Sequence, residues 1–156
     1  SIQYTFHIGR PMYYSTKRFS GYSTCFRQWR ATHSHCRFLH GYAMEFKVTF
    51  QGPLDDRNWV MDFGAFKRNG IKEHLSHMFD HTTVVAADDP ALDTFRELES
   101  QGLIQLRVIE HVGCEKFAEY VYHAIQDRLE GTNATVLRVE CFENGKNSAI
   151  FERSQA

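Results

Sequence analysis

The residues with the widest chemical reach in this 156-residue chain share one segment, His33-Ser34-His35-Cys36-Arg37-Phe38-Leu39-His40. A thiol and an imidazole four residues apart, on a loop that feeds a strand, can hold zinc or act as a nucleophilic Cys–His pair. The spacing lacks the paired ligands of a zinc finger. The plainer alternative is a set of solvated loop histidines beside one buried cysteine. A second candidate is Asp80-His81 at the predicted end of a helix, where a turning chain can aim both side chains into a cleft. A carboxylate that orients an imidazole is a general-base device, whereas a histidine that compensates the helix dipole is the structural alternative. Glu143 ends an apolar strand, and an inward carboxylate there can grip the amidine-like N–H pair of a guanine or pterin ring with two charge-assisted bonds. It can equally be an exposed residue before a hairpin. Glu115 falls in the first turn of a helix, where the dipole favours a carboxylate whatever its role. The run Phe26-Arg27-Gln28-Trp29-Arg30 offers two cations and an aromatic as a clamp for phosphate or carboxylate, or as surface arginines paired with nearby acids. Cys114 and Cys141 read as packing residues.

The elements that must position these groups follow from periodicity. Residues 2–8 alternate apolar and polar and predict a strand ending near Gly9-Arg10-Pro11, and residues 18–27 predict a second. Residues 30–37 are polar and read as a loop. Residues 42–50 alternate again, with Tyr42, Met44, Phe46, Val48 and Phe50 on one face. Asp62 is a fitting N-cap for one helix through Phe79, whose stripe runs Phe66, Gly70, Ile71, His74, Leu75, Met78. A turn at Asp88-Asp89-Pro90, a helix over 91–100 and a brief strand over 103–109 come next. Residues 113–129 carry a second long stripe, stopped by Gly131. Residues 135–142 and 148–151 flank Asn144-Gly145 as an antiparallel pair. Strands, then helices, then strands predict one α+β domain over 1–156 with helices on one sheet face.

Composition narrows the class of function. Lys and Arg total 18 against 19 Asp and Glu, a formal net charge of -1, so no basic excess advertises nucleic acid. No apolar run approaches the ~18–20 residues that span a bilayer, and the first residues lack a signal-peptide apolar core. The expectation is a cytoplasmic protein whose four scattered cysteines, with no CxxC pair, are free thiols. Aromatics at 14% suit a strand-rich core or a stacking pocket for a flat ligand.

Several segments together resemble the 6-pyruvoyltetrahydropterin synthase and 6-carboxytetrahydropterin synthase family. Cys36-Arg37-Phe38-Leu39-His40-Gly41-Tyr42 is similar to its CxxxHGH segment, and Val60-Met61-Asp62-Phe63-Gly64 with Lys67 to "viDFg..k". Phe79-Asp80-His81 resembles "lDH", Gly113-Cys114-Glu115-Lys116-Phe117-Ala118 "ptsEnla", and Val139-Glu140-Cys141-Phe142-Glu143-Asn144 "vrvwEt". The five fall in the family's order, within roughly residues 20 to 152.

The resemblance implies the tunnelling fold, a four-stranded antiparallel sheet with two helices packed on one face. It also implies homo-oligomers, trimers or stacked hexamers, with active sites between subunits. The implied substrate is 7,8-dihydroneopterin triphosphate or a close relative, in a pterin pathway such as 7-deazaguanine or queuosine synthesis. Cys36 would be the proton-transfer thiol, Asp80 and His81 the relay, Glu143 the ring anchor and Glu115 a secondary pocket residue; Arg27, from the basic run and not from the resemblance, is read as a further substrate contact. The family binds zinc through three histidines, and here the sequence departs from it. Of those positions only His40 keeps the ligand. Tyr42 stands at the last, and Tyr22-Ser23-Thr24-Cys25-Phe26-Arg27, similar to "FsAAHr", puts Phe26 at the first, or Cys25 on a one-residue shift. Either His33, His35 or Cys25 rebuilds the site, or the metal is gone, leaving a metal-free pterin- or purine-binding protein as the alternative to a lyase.

Overall fold

The computed structural model describes residues 12–154; the strand expected over 2–8 lies outside them. Six strands, β1 (Tyr13–Phe26), β2 (His40–Gly52), β3 (Thr82–Ala86), β4 (Leu106–Ile109), β5 (Thr135–Phe142) and β6 (Ser148–Glu152), form one sheet in the order β4-β3-β1-β2-β5-β6. Four helices accompany them: α1 (Ala65–Arg68), α2 (Ile71–Phe79), α3 (Leu92–Ser100) and α4 (Cys114–Gln126). The β1–β2, β2–β5 and β5–β6 pairs are antiparallel, as expected. The expected four-stranded antiparallel sheet is nevertheless too small a description. β3 and β4 add a parallel wing, β3 pairing with β1 and β4 with β3, so the sheet is mixed.

β2 buries the face its alternation predicted, with Met44, Phe46, Val48 and Phe50 fully enclosed. β1 keeps a matching face through a register shift between Phe19 and Tyr22. The extra residue restores parity, so Phe19 points into the core before the bulge and Tyr22, Thr24 and Phe26 point into it after. Helices α2 and α4 lie over this face. Ile71, Leu75 and Phe79 from one and Phe117, Val121 and Ile125 from the other join the strand residues in a single cluster. Phe79 and Phe117 meet at 5.5 Å between ring centroids, and Phe117 meets Phe26 edge-on at 4.9 Å.

Two corrections to the helical assignments have local causes. The single helix expected from Asp62 to Phe79 is broken at Asn69-Gly70, where Gly70 takes a left-handed φ of 80° and caps α2. Asp62 instead holds the turn before α1, accepting from the Gly64 N–H at 2.9 Å and from Arg68 at 2.7 Å. β3 was not expected at all. Its five residues are all buried, with Val84 in the main core and Val85 in a second cluster with Phe95 and Leu106. Helix α3 therefore covers the opposite face of the sheet at the β3–β4 wing. Among the described residues no helix is long and apolar enough to cross a membrane.

Phe117 touches both a strand ring and a helix ring at the centre of the cluster. Truncation to alanine leaves a cavity that neither can close, and Phe117→Ala is expected to lower unfolding free energy by about 3–5 kcal/mol in urea denaturation. A loss below about 1 kcal/mol would show that this contact does not hold α4 to the sheet.

Candidate active site

A cavity of about 270 Å³ opens where β1 ends, β2 begins, α4 starts and the β5–β6 hairpin turns. Its wall includes Phe26, Gln28, Cys36, Tyr42, Cys114, Glu115 and Glu143. The fold thus brings together three residues singled out by sequence, Cys36, Glu115 and Glu143, from three distant parts of the chain. Phe26, Gln28, Tyr42, Cys114, Asn147, Ser148 and Ala149 complete the wall, and of these Cys114 had been read as a packing residue.

The loop between β1 and β2 is shaped by its own hydrogen bonds. The Gln28 N–H donates to the Cys36 carbonyl at 2.8 Å, and the Ser34 hydroxyl accepts from the Cys36 N–H at 3.1 Å. That serine caps a single 3-10 turn over His35–Arg37, which fixes the thiol at the cavity wall. Glu115 arrives on the first turn of α4. Gly113, just before it, runs past Gln28 so closely that a Cβ there would come within 2.6 Å of the side-chain amide nitrogen. Glu143 follows β5, its N–H donating to the Asn147 carbonyl at 3.1 Å while the Asn144 side chain accepts from the Lys146 and Asn147 N–H groups. The Asn144-Gly145 signal therefore marks a connection closed by an asparagine side chain, and Glu143 sits at its base.

Burial raises the Tyr42 phenol above its ordinary pKa. The negative charge of Glu143, a hydrogen bond with it, and the nearby Cys36 and Cys114 push in the same direction. Tyr42 therefore stays a neutral hydrogen-bond donor facing a carboxylate. The enclosed Cys141 thiol is also raised, first by its bond to Cys114 and then by burial, so it is held as an unreactive thiol behind the wall.

Other predicted site residues lie elsewhere. Arg27 does not line the cavity. Its guanidinium makes a two-pronged pair with Asp89, at 2.6 and 2.9 Å, and reaches the Arg37 carbonyl at 3.4 Å. The Asp89 side chain is 1% exposed, so this pair ties the cysteine-bearing loop to the β3–α3 turn. Arg30 and the Trp29 indole N–H bind Asp88 beside it. The expected anion clamp is thus matched to acids of the same chain. Asp80 and His81 also stand outside the cavity, at the junction of α2 and β3. The Asp80 carboxylate accepts from the Ser23 N–H at 3.1 Å and lies 3.1 Å from the His81 Nδ1. Those two contacts, the Ser23 bond the larger, hold its pKa below the ordinary carboxylate value. His81 adopts a φ of 58° and leaves its side chain 77% exposed, a conformation no periodicity announces.

The donor set does not fit a three-histidine metal site. Among the described residues, no three His, Cys, Asp or Glu side chains converge on a point. His33 and His35 are exposed on the loop, and Cys25 sits on the face of β1 opposite Phe26, its thiol raised by burial. His40 turns its Nδ1 to the Phe38 carbonyl at 2.9 Å.

With this geometry established, a family profile described as 6-pyruvoyl tetrahydropterin synthase matches residues 15–154. Among solved structures, an uncharacterized protein from Wolinella succinogenes is 20% identical, with 93% of this chain and 100% of that chain covered and a TM-score of 0.79. The 6-pyruvoyl tetrahydropterin synthase of Caenorhabditis elegans is 17% identical over 92% of this chain and 97% of that one, with a TM-score of 0.65. That of Plasmodium falciparum is 13% identical over 92% and 99%, with a TM-score of 0.68. No curated protein sequence matches the chain.

The Arg27–Asp89 pair makes a pH-dependent contribution of known sign. Burial works to raise the Asp89 pKa, but the Arg27 guanidinium and the Ala91 N–H outweigh it, and the net shift is downward. A carboxyl with a depressed folded pKa stabilises fully above its unfolded value of about 3.9 and loses that effect as pH falls toward the folded value. Asp89→Asn is expected to lower unfolding free energy by about 2 kcal/mol at pH 7. In denaturation series the deficit narrows below about pH 4. A deficit that is constant from pH 7 to 3 would exclude this pair as its source.

Proposed function

Because the chain belongs to the 6-pyruvoyl tetrahydropterin synthase family, we propose that it is a lyase-type enzyme of a pterin pathway acting on 7,8-dihydroneopterin triphosphate or a close relative. The observation that carries the reading is the meeting of the loop thiol Cys36 with two carboxylates, Glu115 and Glu143, in a single cavity. Glu143 accepts two N–H bonds from the pterin ring, and Tyr42 beside it holds the carboxylate in place. The Cys36 sulfur then faces the ring's side chain, where it takes a proton as thiolate and returns it as thiol.

His81 and Asp80 enter the scheme from a second copy of the chain. They are outside the cavity of their own subunit, and the imidazole is exposed with one nitrogen already set by Asp80. A homo-oligomer, trimer or hexamer, whose neighbour brings this pair to Cys36 completes the relay. The cytoplasm is the compartment proposed, since Cys25, Cys36, Cys114 and Cys141 are all free thiols.

A second reading has its own support. The departure from a three-histidine donor set and the engagement of Arg27 by Asp89 suit a protein that holds a pterin or purine without turning it over.

The experiment is turnover and binding with 7,8-dihydroneopterin triphosphate. Cys36→Ala is expected to reduce turnover by about 10²–10⁴-fold while leaving affinity within a few-fold. Glu143→Gln is expected to weaken binding by about 10–100-fold. Co-expressing Cys36→Ala with His81→Ala chains restores turnover if each site draws on two copies, and a mixture as inactive as its parents rejects the shared site. Binding with no product from the wild type selects the second reading. Unchanged affinity in Glu143→Gln rejects the pocket assignment under both.

A further inference from the structure

We propose that the corner where β1 ends and β2 begins, which the family resemblance assigns to three metal ligands, is a closed stack of rings, and that this chain is a zinc-independent member of its family. The strand register sets Phe26 directly opposite His40, and Tyr42 follows two residues later on the same strand. All three positions therefore lie side by side at one end of the β1–β2 ladder, where a three-histidine site would need them. Here rings fill it. Phe26 and Tyr42 stack with centroids 4.5 Å apart and planes 22° from parallel, and His40 packs on Tyr42 at 4.4 Å. Phe26 is 3% exposed and closed from beneath by Phe117.

Two of the three positions thus carry no nitrogen, and the third has one ring nitrogen committed to the Phe38 carbonyl. The single donor left falls short of the three protein ligands a catalytic zinc site uses. The replacements that sequence offered do not repair the deficit. Cys25 is on the far face of its strand, while His35 packs edge-on to Phe38 at 6.3 Å. The polar group that this corner does present to the cavity is the Tyr42 hydroxyl, on a ring held from one side by Phe26 and from the other by His40. A ligand reaching this corner meets a neutral phenol whose one proton is turned to Glu143, where a zinc site would offer a Lewis acid.

The inference rests on the family reading for what the corner is compared with, but its test uses no pterin, so a failure of the lyase proposal leaves it standing or falling by itself. The purified 156-residue chain is offered zinc, freed of unbound metal by gel filtration, and its metal weighed by plasma mass spectrometry. The wild type is expected to retain close to none. Phe26→His with Tyr42→His, which supplies the two missing imidazoles beside His40, is expected to retain about one zinc per chain and to give cobalt(II) the absorption of a tetrahedral site. Because Phe26 also packs on Phe117, Tyr42→His alone is measured in parallel. It leaves that contact intact, and with two facing imidazoles it is expected to bind zinc at least about tenfold more tightly than the wild type. Wild-type protein holding near one zinc per chain, lost in His40→Ala, overturns the proposal. So does failure of both folded variants to gain metal, since the rings would then not be what excludes it.

Discussion

The antiparallel ladder between β1 and β2 is the constraint on which the site depends. Its register fixes Thr24 opposite Tyr42 and Phe26 opposite His40, and so decides which side chains share the corner at the strand ends. The same ladder turns the Gln28–His40 connection into a loop with fixed endpoints, whose interior bonds hold Cys36 at the cavity wall. β1 also serves the parallel wing through β3. The Thr24 hydroxyl donates to the Phe79 carbonyl at 2.6 Å, and Thr82 donates to that of Met78 at 2.8 Å, satisfying carbonyls that the end of α2 leaves open. A slip of one residue along β1 would turn Tyr22, Thr24 and Phe26 outward and separate the corner from the core.

The core is built from rings, and this has consequences at the cavity. Phe26 belongs to a contact path that runs through Phe117 and Phe79 to Phe46. The cavity wall is therefore continuous with the hydrophobic interior, and a side chain at position 26 answers to packing as well as to chemistry. A phenylalanine there gains full burial and an edge-on partner. An imidazole in the same place would bring a buried polar nitrogen that needs a ligand or hydrogen bond to offset its desolvation.

What the sequence disclosed and what it withheld divide along physical lines. β2, β5 and α4 were legible because each carries its apolar residues on one face, which writes a clear period into residues such as Met44, Phe46 and Val48. β3 is enclosed on both faces, so Thr82 to Ala86 carries no alternation to read, and the strand that joins β4 to the rest of the sheet went unseen. The break in the long helix was signalled by Gly70, which also fits a helical stripe, and only the tertiary fold decides between the two. For the site, the thiol and both cavity carboxylates stood out by type and position. The partners of Arg27 did not, since nothing local links it to Asp89, 62 residues along the chain. Tyr42 was masked by its own regularity: it continues the apolar face of β2, and its hydroxyl gains meaning only from Glu143 across the sheet.

The charge of the cavity constrains how any ligand must enter. Among the described residues its wall carries Glu115 and Glu143 with two thiols and no lysine or arginine. A low-dielectric wall strengthens the field of those carboxylates, which attracts an N–H-rich ring edge and repels a phosphate. The nearest basic run, Arg27 to Arg30, does not reverse this, because both arginines are already neutralised by Asp88 and Asp89. A molecule with a flat N–H edge at one end and phosphates at the other therefore has one favourable orientation: ring inward between Glu143 and the Tyr42 face, phosphates outward. That orientation leaves the atoms linking the two ends at the cavity mouth. In the homo-oligomer proposed above, that mouth is where a neighbouring copy would reach them, and His81, its side chain 77% exposed, is the group proposed to do so.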